Sequence, residues 1–280
     1  MFAKLLKYEW KSTSRLLGVF SVAAAAAGGL GAVALRFLVN YASGAADSAA
    51  GEQGKVVRAM TVSGLGMLLF FVVLALAAYY LGTQIVLLHR FYKNKFTDEG
   101  YLIFTLPVRS QEIVLASWVN MLIWSAISIL VIGASAMAML LGATMGIEEP
   151  FLDILVENSR MLYDEAFSEY GVMYYVMSVL EPVLEWLVAP MITMTCITIG
   201  AVGAKKHKIL LAIAIYYGYS MVSGIVETVI SSVVAIMVYT TDVYSVSGIS
   251  QICGTLIQLL LGIGCWFLTN HLMCKKLNLP

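Results

Sequence analysis

Six long apolar runs, separated by polar intervals, organise this chain: Leu16–Val39, Met60–Leu88, Ile113–Leu141, Val176–Val202, Ile209–Val238 and Ile252–Leu272. Each is long enough, at ~1.5 Å per residue, to cross a hydrocarbon layer ~30 Å thick as an α-helix. The pattern predicts an all-α polytopic membrane protein with six transmembrane helices. Ahead of the first run, residues 1–15 place Phe2, Leu5, Leu6 and Trp10 within a broad arc, with Lys4, Lys7, Lys11 and Arg15 around the rest. That spacing predicts a helix lying in the membrane interface; the alternative is a positive flank without regular structure.

Polar and small residues inside the runs refine the picture. In the first, Gly28 and Ala32 stand at the small-x-x-x-small spacing that permits close backbone approach, between helices or between subunits, and Arg36 can snorkel from the outer end. The third carries Trp118 and Trp124, then a narrow stretch from Gly133 to Ala138. The fourth is the least regular: Glu181 and Glu185 lie one turn apart around Pro182, and Pro190 predicts a kink whose freed backbone Thr193, Thr195 and Thr198 could satisfy. The fifth holds Glu227 with a polar band of Tyr216, Tyr217, Tyr219, Ser220 and Ser223, and the sixth holds Gln258.

Among the intervals, residues 40–59 read as a short exterior loop, partly helical. Residues 142–175 are strongly acidic, with Arg160 the sole cation. Apolar positions recurring from Phe151 predict one or two amphipathic helices across the outer mouth, or else a solvated acidic loop. The interval 89–112, HRFYKNKFTDEGYLIFTLPVRSQE, is different in kind. Its aromatic residues provide enough apolar surface to pack, Gly100 and Pro107 punctuate it, and it is longer than a simple turn requires. It reads as a docking element rather than a link. The interval at Lys205, Lys206, His207 and Lys208 is only a tight return.

Composition settles the class. Of 280 residues 60% are hydrophobic and 12% charged, with a mean hydropathy of +0.87, against roughly 25% charged residues in ordinary soluble domains. The six-span map puts 13 of the 17 cations on one side, leaving Arg36, Lys55, Arg58 and Arg160 toward the other. Positive residues accumulate in the cytoplasm, so both termini and the 89–112 island are expected there. The basic start leads into a run of spanning length, which reads as a first helix rather than a cleaved signal.

Catalytic chemistry is not legible. The sequence contains no G-x-x-x-x-G-K-[ST] loop, His89, His207 and His271 are far apart without an H-E-x-x-H pattern, and the four cysteines lack paired metal-ligand spacing. No catalytic residue, metal site, cofactor or nucleic-acid partner is assigned to the chain. Glu227 is the sharpest candidate, because a carboxylate in hydrocarbon costs about 2.5–3.5 kcal/mol, on the scale for mid-membrane aspartate, unless it is paired, hydrated or protonated. Glu227, Glu185, Glu181 and Pro190 are the candidates for a translocation path or gate, against a structural hydrogen bond, a headgroup-level position and a simple kink respectively.

The phrase HRFYKNKFTDEGYLIFTLPVRSQEI resembles a stretch, of the form RFYKNLFTDEGYLTFTLPV, that follows the second span in ABC-2 type ABC transporter permeases of the group common in Gram-positive anaerobic bacteria. The opening FAKLLKYEWK and the closing LMCKKLNL are similar to that group's ends. The resemblance implies a permease subunit in the bacterial cytoplasmic membrane, paired with a second permease and with separate ABC ATPase subunits that hold ATP and magnesium. It implies contact with the ATPase through Arg90, Lys93, Asp98, Glu99, Gly100, Phe104, Pro107 and Arg109. The expected function is export of peptides or other amphiphiles; the rival is a non-transporting sensor or immunity protein that binds antimicrobial peptides through residues 142–175. One departure stands out. Members place exterior helices between the fifth and sixth spans, whereas here the large acidic interval follows the third, so outer-gate architecture is not carried over.

Overall fold

The computed structural model describes residues 2–42, 52–97, 100, 109–144, 151–204, 206–238 and 243–275. Among them six long helices follow one another: α1 (Phe2–Ala42), α2 (Glu52–Phe96), α3 (Ser110–Thr144), α4 (Phe151–Gly203), α5 (Lys208–Val238) and α6 (Val243–Lys275). Each apolar run of the sequence falls inside one of them, and all six helices are long and apolar enough to cross a membrane.

Burial is inverted relative to a soluble protein. Thr83, Ser128 and Thr198 have no exposed surface, while Phe70, Leu130, Leu210, Met221 and Ile263 are among many large apolar side chains left bare. Water as solvent would penalise that arrangement, whereas lipid accepts the outer residues and leaves small polar groups to pack inward. The buried hydroxyls donate to carbonyls one turn back: Thr83 to Tyr79, Ser128 to Trp124 and Thr198 to Met194. Such bonds satisfy them without a partner helix.

Two expectations about boundaries change. The first fifteen residues form no element of their own, because α1 runs unbroken through Arg15. Residues 151–175 likewise continue directly into the fourth span as one 53-residue helix, ~80 Å long at ~1.5 Å per residue. Neither junction holds a helix breaker. Pro150 precedes α4, where proline suits a helix start, and Pro182 and Pro190 lie beyond the junction, inside the fourth span. The 40–59 interval is partly helical, since α2 begins at Glu52, and α2 carries on through Phe96 into the island.

The chain forms two compact units. One comprises Trp10–Val86 and Ile123–Asn158. In it Ala24, Val72, Leu76 and Tyr79 form a core with Val131, Ile132 and Met139, and the Ser21 and Tyr79 hydroxyls are 2.8 Å apart. Trp10 stacks on Trp124 at 4.9 Å, and the Trp124 indole donates to Thr13 Oγ1 at 3.0 Å. Gly28 and Gly142 mark where α1 and α3 touch: a Cβ on Gly28 would strike Ser135, and one on Gly142 would strike the Ala32 carbonyl. The small residues of the first span thus serve a contact within the chain.

The other unit comprises Met1–Glu9, Leu87–Leu122 and Ser159–Pro280. Val188, Ile192 and Cys196 of α4 pack with Ile215 and Tyr219 of α5 and Cys265 of α6. Gly200 presses against Ala212 with no room for a methyl group, and Gly262 packs tightly against Val188. Thr195 and Thr269 share a buried hydroxyl contact of 2.8 Å. The threonines after Pro190 bond carbonyls from Ala189 onward. A tryptophan reaches the turn before the proline instead: Trp118 Nε1 donates to the Leu187 carbonyl at 3.1 Å.

Candidate functional site

Two places in the second unit gather polar chemistry. The first surrounds the end of α2. Phe91 and Phe96 are buried and meet edge to face, and Tyr92 stacks on Phe96; Leu87 and Ile113 are buried as well. Lys95, in the last turn of α2, is 3% exposed and donates from Nζ to Glu9 Oε1 at 2.8 Å, the Glu9 side chain being 14% exposed. Ser117 of α3 donates to the same Glu9 oxygen at 3.2 Å. A single carboxylate on α1 therefore ties together the end of α2 and the start of α3. At this depth the pair is far less screened than a surface ion pair.

Gly100 sits immediately after this end. Its amide donates to the Thr97 carbonyl at 2.8 Å, and a Cβ there would collide with the Lys95 backbone, so glycine lets the chain fold back over the helix terminus. Of the other expected coupling residues, Arg90 is half-buried and Lys93 exposed in the last turns of α2, where cations also complement the negative end of the helix dipole. Arg109 is exposed just ahead of α3, and its carbonyl accepts from the Glu112 amide at 2.9 Å. Asp98, Glu99, Phe104 and Pro107 lie outside the described residues. Lys95 and Glu9, whose pairing sequence reasoning did not find, fasten the end of α2, where the island begins.

The second place is a cleft of about 170 Å³ among α4, α5 and α6. Glu185 contributes from α4, Glu227 with Tyr216 and Tyr219 from α5, and Gln258 from α6. Glu185 and Glu227 stand at matching distances from the end of α4 and the start of α5, and both line the cleft. Glu181 lies outside the lining but within Coulombic reach of both carboxylates. Pro190, half-buried between the lining residues Ala189 and Ile192, does not itself line the cleft. Ser223 donates to the Ser220 carbonyl at 3.1 Å, which leaves its lone pairs as acceptors. The Gln258 Oε1 atom is buried without a hydrogen-bond partner. The polar band on α5 and Gln258 were visible in the sequence, but only the helix packing joins them to Glu185.

A larger, shallower depression of about 570 Å³ lies between Gln111 and the end of α6, beside His271 and Cys274. Among the described residues no carboxylate, Lys or Arg lines it. Among the described residues no three His, Cys, Asp or Glu side chains converge as a metal site.

These features define a multi-pass helical protein built for an apolar solvent, with a fastened polar island at the end of its second helix and an acidic cleft in its second half. Comparison of the chain with protein-family models, with curated proteins and with solved structures finds no match.

Proposed function

We propose that this chain is the membrane-spanning subunit of an ATP-driven exporter, an ABC-2 type permease that works as one of a pair in the bacterial cytoplasmic membrane. Nucleotide and magnesium belong to separate ATPase subunits. The observation that carries the reading is the packing of residues 89–97, where the island begins: Phe91, Lys95 and Phe96 are buried, and the Lys95–Glu9 pair binds the end of α2 to the amino-terminal helix. A solvated linker has no use for this packing, whereas an element that receives a push from a partner must transmit it rigidly. In this reading the exposed Lys93 and Arg109, with Arg90, Asp98 and Glu99, face the ATPase. Movement of the island reaches α2 and α3, whose ends it joins, and the Pro190 region of α4 follows through the Trp118 contact to Leu187. The acidic cleft lies on the path of the exported molecule, which is a peptide or another amphiphile.

The test is copurification of the chain with an ATPase, followed by replacement of Asp98, Glu99 and Arg109 together by alanine. Assembly should weaken, or transport-coupled ATP hydrolysis should fall at least tenfold. Unchanged coupled hydrolysis would sink the reading. Peptide binding and cell protection without any ATPase would turn it into that of a non-transporting immunity protein.

A further inference from the structure

The cleft among α4, α5 and α6 has a one-sided chemistry. Its lining offers the carboxylates of Glu185 and Glu227, the unpartnered Gln258 Oε1 and the free lone pairs of Ser223, while among the described residues no lysine, arginine or histidine lines it. Carboxylates accept and cannot donate, and an ammonium group is the reverse, with three donors and no acceptor. Glu181, one turn from Glu185, lies within Coulombic reach of both carboxylates. Tyr216 and Tyr219 supply aromatic rings at the cleft, and a ring face attracts a cation by about 0.5–2 kcal/mol depending on desolvation. A divalent metal would require converging ligands, and among the described residues none form such a group.

Size narrows the ligand further. About 170 Å³ is well below the roughly 300–1,000 Å³ of pockets that enclose a whole drug-sized molecule. Only a headgroup fits, and the rest of the ligand must lie outside. Outside are the bare apolar side chains of α5, among them Met221, Val222 and Ile225, which suit an alkyl or apolar peptide body in lipid.

We infer that this cleft binds the primary ammonium headgroup of an apolar molecule, held between Glu185 and Glu227 with Gln258 as a further acceptor. Its role as a substrate subsite rests on the exporter reading; binding itself does not. The experiment therefore uses the isolated chain in phosphatidylcholine nanodiscs without ATPase, with empty nanodiscs as the blank. Dodecylammonium should bind saturably and at least tenfold more tightly than dodecanol. In E185Q/E227Q that preference should disappear, whereas E157Q, an exposed carboxylate elsewhere on α4, should retain it. S220K places an internal ammonium in the cleft and should also abolish the preference, which decides the matter if the double variant does not fold. An apolar peptide with one lysine, compared with its acetylated form, separates the two sources of the amine: discrimination identifies a side-chain amine as a ligand, and binding of the alkylamine alone a lipid-like one. Equal binding of dodecylammonium and dodecanol, or a preference that survives both E185Q/E227Q and S220K, would overturn the site. Neither result bears on ATPase coupling, which the preceding test addresses separately.

Discussion

Lys95 shows how much one residue's role depends on a partner distant in sequence. In the sequence it is one of thirteen cations expected on the cytoplasmic side, and nothing near it marks it as buried. In the fold it is 3% exposed, with its ammonium on Glu9, 86 positions away. Removing one member of a buried pair leaves the other charged and uncompensated, which costs about 3–5 kcal/mol, whereas replacing both by apolar groups is often neutral. K95M and E9L should therefore each lower the thermal stability of the chain in nanodiscs, and K95M/E9L should recover most of the loss. The cycle should give a coupling of about 0.5–3 kcal/mol. Additive effects would mean that the two residues do not act as a pair. Phe91 and Phe96, by contrast, were legible, because aromatic residues in a polar interval have few places to go but inward.

At the scale of elements, hydropathy located the spans but not the helix ends. It reports where lipid can lie, while a helix ends where a breaker or a competing hydrogen bond stops it. Between Phe2 and Ala42 there is no proline, and the glycines cost helix stability without ending it, so the interfacial stretch and the first span merge. Residues 151–175 likewise hold no proline, so α4 runs from Phe151 into the fourth span, and it then continues past Pro182 and Pro190. Small-residue spacing gave contact but not its address, since Gly28 and Ala32 could have met another subunit as well as another helix. The structure places Gly28 against Ser135 and Ala32 against Gly142, whereas Gly29 and Gly133 face open space. The contrast predicts opposite outcomes for the same substitution. G28A and G142A should destabilise the chain by about 1–3 kcal/mol through overpacking, and G29A and G133A should be neutral or stabilising by up to about 1 kcal/mol through helix propensity. Thermal retention of monodisperse protein in detergent measures all four, and equal effects at the crowded and open positions would count against the α1–α3 contact.

For the whole molecule, the distribution of charge and the inverted burial bear on different questions. Bare apolar surface over buried Thr83, Ser128 and Thr198 requires lipid around the helices but is indifferent to which end faces the cytoplasm. Orientation comes from charge alone, and six crossings are the number that gathers thirteen of the seventeen cations on one side. Adding or removing one crossing would reverse every later interval, scattering Lys205, Lys206 and Lys208 away from Arg90 and Lys93. Single cysteines in a background without Cys196, Cys253, Cys265 and Cys274 make this measurable. Thr97 and Lys206 stand at the ends expected inside, and Arg160 on the acidic part of α4 expected outside. A membrane-impermeant maleimide should label R160C in intact cells and leave T97C and K206C untouched until the membrane is opened. Labelling of T97C from outside would put the fastened island beyond the reach of any cytoplasmic ATPase, and the exporter reading would fail with it. The Lys95–Glu9 pair and the acidic cleft, which are properties of packing rather than of orientation, would remain.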